Sequence, residues 1–144
     1  MILISHRGNI DGKIPEYENN PNYIDAALEL GYNVEVDLWV NNGILSLGHD
    51  EPTHIINYNW LKDRKSKLWI HCKNIEALEL MDEKIELHYF WHEEDTVTLT
   101  SQGTIWAYPG KQPIKNSIAV LPELENDIVF DCKGVCSDYI KRYK

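Results

Sequence analysis

The chain has 144 residues, 43% of them apolar and 26% charged, which fits one soluble globular domain with a single core rather than a disordered chain. Its formal net charge of −9 argues against nucleic-acid binding through a basic surface, and it repels phosphate-bearing molecules at long range, so a phosphate site would need local cations. No apolar run nears the roughly 20 residues of a membrane span.

The opening Met1-Ile2-Leu3-Ile4 meets His6 and Arg7 too soon for a signal peptide, so a cytoplasmic location is expected. Residues 1–6 read as a short buried strand, and Gly8 permits a turn after it. Asn20-Pro21 opens a helix, with Asn as cap and Pro at the first helical position. Ile24, Ala27 and Leu28 give that helix an apolar face, and Gly31 closes it. A second strand is expected over 33–40. Asn42-Gly43 is hairpin chemistry leading into a strand over 44–47, which ends at Gly48-His49-Asp50.

Segment 52–67 reads as loop with some helix over 58–64, and 68–72 is strand-like. Asn74 caps a helix through 83, and 87–91 is strand-like again. Such alternation is the pattern of parallel α/β architecture. Beyond Asp95 the helical signals fade, and 104–108, 117–121 and 135–137 look like short strands joined by Gly- and Pro-containing loops. Neither a repeat nor an interdomain linker interrupts residues 1–144, which read as one domain. Cys72, Cys132 and Cys136 are an odd count with no metal-site spacing, and they read as small buried hydrophobes.

Residues two apart on a strand share a face, so Glu35 and Asp37 stand side by side while Val34, Val36 and Leu38 face the other way. Paired carboxylates repel and are costly to bury without a cation; a divalent ion with oxygen ligands resolves that conflict. An isolated Glu-x-Asp more often marks a solvated acidic patch, and a lone His6 or His49 more often a surface or core residue. His6 lies at the C-terminal end of its strand, where parallel α/β sheets place ligands, and His71 and Lys73 share a face on the third strand or at its mouth.

The ordered set changes the weighing. His6-Arg7-Gly8, Glu18-Asn19, Glu35-x-Asp37 and His49-Asp50 resemble, in order and spacing, the N-terminal signature of glycerophosphodiester phosphodiesterases. The resemblance covers residues 2–50. It continues more weakly through Leu68-Trp69-Ile70-His71-Cys72-Lys73, Ile105-Trp106 and the closing Gly134-Val135-Cys136-Ser137-Asp138-Tyr139. It implies acid–base catalysis by His6 and His49, a divalent metal on Glu35 and Asp37, and phosphate binding by Arg7 and Lys73; Trp106 is a candidate substrate-binding residue by its place on a strand face. It also implies a small phosphodiester substrate and a place in lipid metabolism.

The chemistry agrees: non-bridging oxygens need charge neutralisation, and one group must activate the nucleophile while another protonates the leaving oxygen. The nucleophile is water or a neighbouring substrate hydroxyl, the latter giving a cyclic phosphate.

Two departures from the family pattern stand out. His71 occupies the place of a third acidic ligand. Mg or Ca is the metal by resemblance, and Mn, Co or Zn is favoured if this imidazole ligates. An eight-unit barrel ordinarily takes about 250 residues, so the expected fold is a reduced TIM-like (β/α) barrel with mostly parallel strands and several later helices missing. Its uncovered apolar exterior would suit a homodimer. His92 follows the fourth strand within reach of a pocket, with His88 and Phe90 on the same face, and Trp106 and Tyr108 could wall that pocket, although core packing is the default for such aromatics. Two function classes follow: a metal-assisted phosphodiester hydrolase, or a catalytically silent relative that binds a phosphorylated ligand. Retention of both histidines and both carboxylates favours the enzyme.

Overall fold

The computed structural model describes residues 1–84 and 86–144. Strand β1 (Ile2–His6) is followed by α1 (Pro21–Glu29), β2 (Asn33–Asn41), β3 (Ile44–Leu47), β4 (His54–Ile56), α2 (Tyr58–Asp63), β5 (Leu68–Cys72) and α3 (Ile75–Glu83). Then come β6 (Tyr89–Trp91), β7 (Val97–Leu99), β8 (Ile105–Ala107), β9 (Ser117–Val120) and β10 (Gly134–Ser137), with single 3-10 turns at Pro122–Leu124 and Ile140–Tyr143. Each helix starts at an asparagine whose side chain accepts from the first turn: Asn20 from the Asn22 N–H, Asn57 from Trp60 and Asn74 from Ala77. Such a cap contributes about 1 kcal/mol.

The expected (β/α) barrel does not form. The ten strands make one curled, mixed sheet, a half-barrel with three α-helices among the described residues. Parallel pairing runs β6–β5–β2–β1–β10–β9–β8, whereas β3, β4 and β7 are antiparallel to their neighbours. The cause lies in the connections. A parallel crossover usually needs a dozen or more residues and a helix. Here β8 and β9 are joined by nine residues (108–116), and β9 and β10 by thirteen with one 3-10 turn. Chain that a barrel would spend on helices instead adds the hairpin strands β3 and β4 and the antiparallel β7.

The outer face of the curl carries the larger core, where Ile24 and Ala27 of α1, Leu61 of α2 and Ala77 and Met81 of α3 pack on Val34, Val36, Leu38 and Ile70. Each fully buried Leu or Ile there contributes about 1.5–3 kcal/mol. Inside the curl a second cluster, including Ile4, Trp69, Phe90, Trp106 and Ile118, fills the lower layer. Cys72 and Cys136 are buried and Cys132 half-buried, all free thiols, and burial pushes Cys72 up to about 12, which leaves it unreactive.

His88 takes no part in the upper layer. Its ring lies 4.1 Å from that of Trp69, and Nε2 is 2.7 Å from Thr100 Oγ1. Burial, helped by the Lys133 charge, lowers its pKa to about 4, against ~6.5 in an unfolded chain. Between those values the unfolded chain binds a proton that the folded chain refuses, so stability falls as pH drops through this window and levels off below it. Urea unfolding at pH 7 and pH 4.5 should show wild type losing about 2 kcal/mol more than His88→Gln. Equal losses would mean that the folded protein admits the His88 proton.

Candidate functional site

The alternation of β2 and β5 and their register build the upper layer of the interior. His6 pairs with Glu35, Glu35 with Trp69, Asp37 with His71 and His71 with Phe90. The strands run parallel, so these side chains rise together at one end of the curl. They surround a cavity of about 370 Å³ whose charged side is lined by His6, Arg7, Glu35, His49, His71 and Lys73. Asp37 is fully buried just behind, between Arg7 and His71.

The turn after β1 is shaped for this purpose. Arg7 has φ 58 and Gly8 φ 96, a left-handed conformation that costs a non-glycine residue about 1 kcal/mol or more. A Cβ at Gly8 would lie 2.5 Å from the Tyr23 ring. Asn19, also left-handed at φ 64, clamps Asp37 at both ends: its Oδ1 accepts from the Asp37 N–H and its Nδ2 donates to Oδ2, both at 2.9 Å.

Two buried carboxylates stand together, with Arg7 within ion-pair range of Asp37. Arg7 Nε is 3.0 Å from Asp37 Oδ2, outside good hydrogen-bonding alignment. Glu35 Oε2 and Asp37 Oδ1 have no hydrogen-bond partner among the described residues. Burial and the charge of Asp37 push the Glu35 carboxyl well up. For Asp37 burial acts in the same sense, but His71 when its ring is protonated, Arg7 and Asn19 outweigh it and hold that carboxyl below the ordinary aspartate range.

His71 sharpens the point. Its Nε2 faces the His92 carbonyl at 3.2 Å, an acceptor that fixes Nε2 as donor. In the neutral ring Nδ1 therefore carries a lone pair, and it faces Asp37 Oδ1 at 3.2 Å and Glu35 Oε1 at 4.0 Å. Lone pair against carboxylate is repulsive unless a cation or a second proton lies between them. One ligand atom from each of Glu35, Asp37 and His71 falls within 4.8 Å of the others, about twice the 2.0–2.5 Å bond length of a divalent ion. The orphaned oxygens and this donor set fit a metal.

His6 is backed from below. Asp138 Oδ1 lies 2.7 Å from His6 Nδ1 and also accepts from Asn9 Nδ2 at 2.9 Å. Burial would raise the Asp138 carboxyl, but the His6 and Asn9 hydrogen bonds keep it below its usual range. An ionised carboxylate only accepts, so Nδ1 of His6 is the donor and Nε2 is left facing the cavity, 3.6 Å from Glu35 Oε2. His49 sits at the exposed rim with Nδ1 3.9 Å from Asp37 Oδ2. Burial and the Arg7 charge lower its pKa. Trp106 lines the cavity but is only 2% exposed and packs against Trp69 and Phe90.

Comparison of the chain with family models, curated proteins and solved structures gives no match. No helix among the described residues is long and apolar enough to cross a membrane. Sequence reasoning gave Asp138 no role, although Ser137-Asp138 closes a strand whose end lies beside that of β1; its contact with His6 spans 132 positions, and no spacing rule reaches that far.

Proposed function

We propose that the chain is a metal-assisted phosphodiesterase acting on a glycerophosphodiester or a related small phosphodiester, as its resemblance to glycerophosphodiester phosphodiesterases implies. The observation that carries this reading is the pair of buried carboxylates, each with an unpartnered oxygen, beside a histidine whose free nitrogen is turned toward them. Glu35, Asp37 and His71 would hold a divalent ion. When bound, such an ion neutralises phosphoryl charge and acts as a Lewis acid. Arg7 and Lys73 add positive charge on the same side of the cavity.

His6 and His49 divide the protons: one takes the proton of the attacking hydroxyl as the new P–O bond forms, and the other supplies a proton to the departing alcohol oxygen as the old P–O bond breaks. His6 is the better held of the two, because Asp138 fixes its tautomer and the orientation of its ring, the arrangement general to His–carboxylate pairs. A second reading, a phosphate-ligand binder without turnover, is favoured by the approach of Arg7 to Asp37, which supplies part of the charge compensation without a metal.

Two measurements test the proposal. Hydrolysis of bis(4-nitrophenyl) phosphate should require added divalent metal; phosphate binding with no hydrolysis under any metal would favour the silent binder. Calorimetric titration addresses the ligand set. Wild type should accept Mn²⁺, Co²⁺ or Zn²⁺ at least as well as Mg²⁺, because imidazole replaces a hard anionic oxygen. His71→Glu should shift preference toward Mg²⁺ or Ca²⁺, and His71→Ala should weaken every metal. Identical affinities in all three proteins would exclude His71 as a ligand.

A further inference from the structure

The curl has a second cavity at its other end, where β1, β2 and β5 begin rather than end, with a volume of about 450 Å³. Two ammonium groups and one buried ring converge on it: Lys65, Lys133 and His88. Neither lysine forms an ion pair among the described residues. Lys133 Nζ lies 3.3 Å from Thr104 Oγ1, which also lines the cavity. Among the described lining residues Glu86 is the single carboxylate, and it accepts from the Tyr58 hydroxyl.

His88 is 7% exposed, and its partners settle which ring nitrogen carries the proton. The buried Thr100 Oγ1 accepts from the Thr104 N–H at 3.1 Å, and its own proton has a single acceptor in reach, His88 Nε2 at 2.7 Å. Buried hydroxyls are almost always paired, so the hydroxyl donates to Nε2 and the neutral ring carries its proton on Nδ1. That Nδ1–H has no hydrogen-bond partner among the described residues. It is also not sealed in the core as the orphan atoms of Arg7, Glu35, Asp37 and Tyr108 are. Stacking on Trp69 holds the ring in place, so a fixed donor faces the cavity between the two lysines' charges.

We infer that this lower cavity binds a tetrahedral dianionic oxyanion, a sulfate or phosphate group, at a site separate from the upper one and independent of the phosphodiester reading. Two ammonium groups match two negative charges, and lysine binds such groups as a point charge. The His88 N–H adds one directed hydrogen bond, stronger for an ionised acceptor than for a neutral one. A cation meets two like charges here, and a carboxylate leaves one lysine unmatched. The space exceeds a bare oxyanion, and Ile2, Leu68 and Trp69 give it an apolar wall against which a small organic substituent can lie.

Sodium sulfate, phenyl phosphate and sodium acetate, each titrated at constant ionic strength and followed by amide NMR spectra of the isotope-labelled protein, test the site. Sulfate and phenyl phosphate should give saturating shifts at Leu87, His88, Thr104 and Lys133, and acetate should bind about tenfold more weakly, having one charge fewer. The double variant Lys65→Ala, Lys133→Ala should weaken both dianions about tenfold or more, whereas Lys73→Ala in the upper cavity should leave these shifts as they are. His88→Phe keeps a ring against Trp69 and removes the donor, and it should cost about tenfold. Both lysines are exposed, so their removal decides the matter even where His88→Phe does not fold. Tighter binding of phenyl phosphate than of sulfate assigns the site to an organic oxyanion, and equal binding assigns it to a free one. Shifts that never saturate, shifts confined to the surroundings of Arg7 and Lys73, or undiminished binding by the double lysine variant would overturn the site.

Discussion

Replacing His6 by alanine should lower turnover of a phosphodiester by about 10²–10⁴-fold, the range for removal of a positioned general acid or base. His6 is 8% exposed and fixed by Asp138, so its ring is held in one position beside the cavity. His49→Ala should also cost about 10²-fold or more, with a less sharply defined loss, because its side chain is 42% exposed and its contacts are longer. Asp138→Asn supplies a control that a merely structural role would not predict. An amide can present N–H to Nδ1, which inverts the tautomer and turns the Nε2 proton toward the cavity. That variant should lose activity while keeping its fold, and combining it with His6→Ala should cost no more than His6→Ala alone. Near-normal turnover in folded His6→Ala and His49→Ala would remove the two-histidine mechanism.

Gly48→Ala should destabilise the protein by about 3 kcal/mol or more, a size tied to steric overpacking against atoms that cannot withdraw. A Cβ there would collide with the Glu51 carbonyl and the Thr53 hydroxyl and would sit 3.0 Å from the Thr53 nitrogen. Two of these three are backbone atoms. The corner has little freedom to relax, because Gly48 donates its N–H to the Asp37 carbonyl at 3.1 Å and accepts from Trp39 Nε1 at 2.7 Å, and Thr53 N donates to the Leu47 carbonyl at 2.9 Å. The same corner aims His49 at the cavity, so a variant that survives should also lose turnover. Urea unfolding followed by circular dichroism measures the first effect. A loss below 1 kcal/mol would show that residues 48–53 shift aside freely.

The first half of the chain was legible because its signals agree. The Asn caps, the two-residue alternation of Val34 to Leu38 and the Asn42-Gly43 turn each specify one local answer, and α1, β2 and β3 follow. β4 and β7 carry no such signal, because Ile55, Val97 and Leu99 are exposed and burial leaves no mark on their pattern. The global fold departs from the expected barrel for a different reason. The count of units takes mostly parallel strands to close into a barrel, whereas β3, β4 and β7 lie antiparallel to their neighbours and β8, β9 and β10 stay parallel across connections without α-helices. His6, Glu35, Asp37, His71 and Lys73 could be brought together from sequence because strand ends at one edge of a parallel sheet meet whether or not the sheet closes. Asp138 depends on the pairing of β1 with β10, strands far apart in the sequence whose adjacency periodicity does not encode.

The antiparallel β7 has a consequence for where the sheet opens. It pairs with β8 as a ladder, but it meets β6 only through isolated links such as the Thr98 hydroxyl to the Trp91 carbonyl at 2.9 Å and, just beyond its end, Ser101 N–H to the Tyr89 carbonyl at 2.8 Å. The half-barrel therefore has a seam between β6 and β7, and the aromatic wall made by the ends of β6 and β8 straddles it. The carboxylate wall stands on β1, β2 and β5, which are laced together by continuous parallel pairing. Local opening takes the least-bonded route, so the sheet parts along this seam before the carboxylate wall gives way.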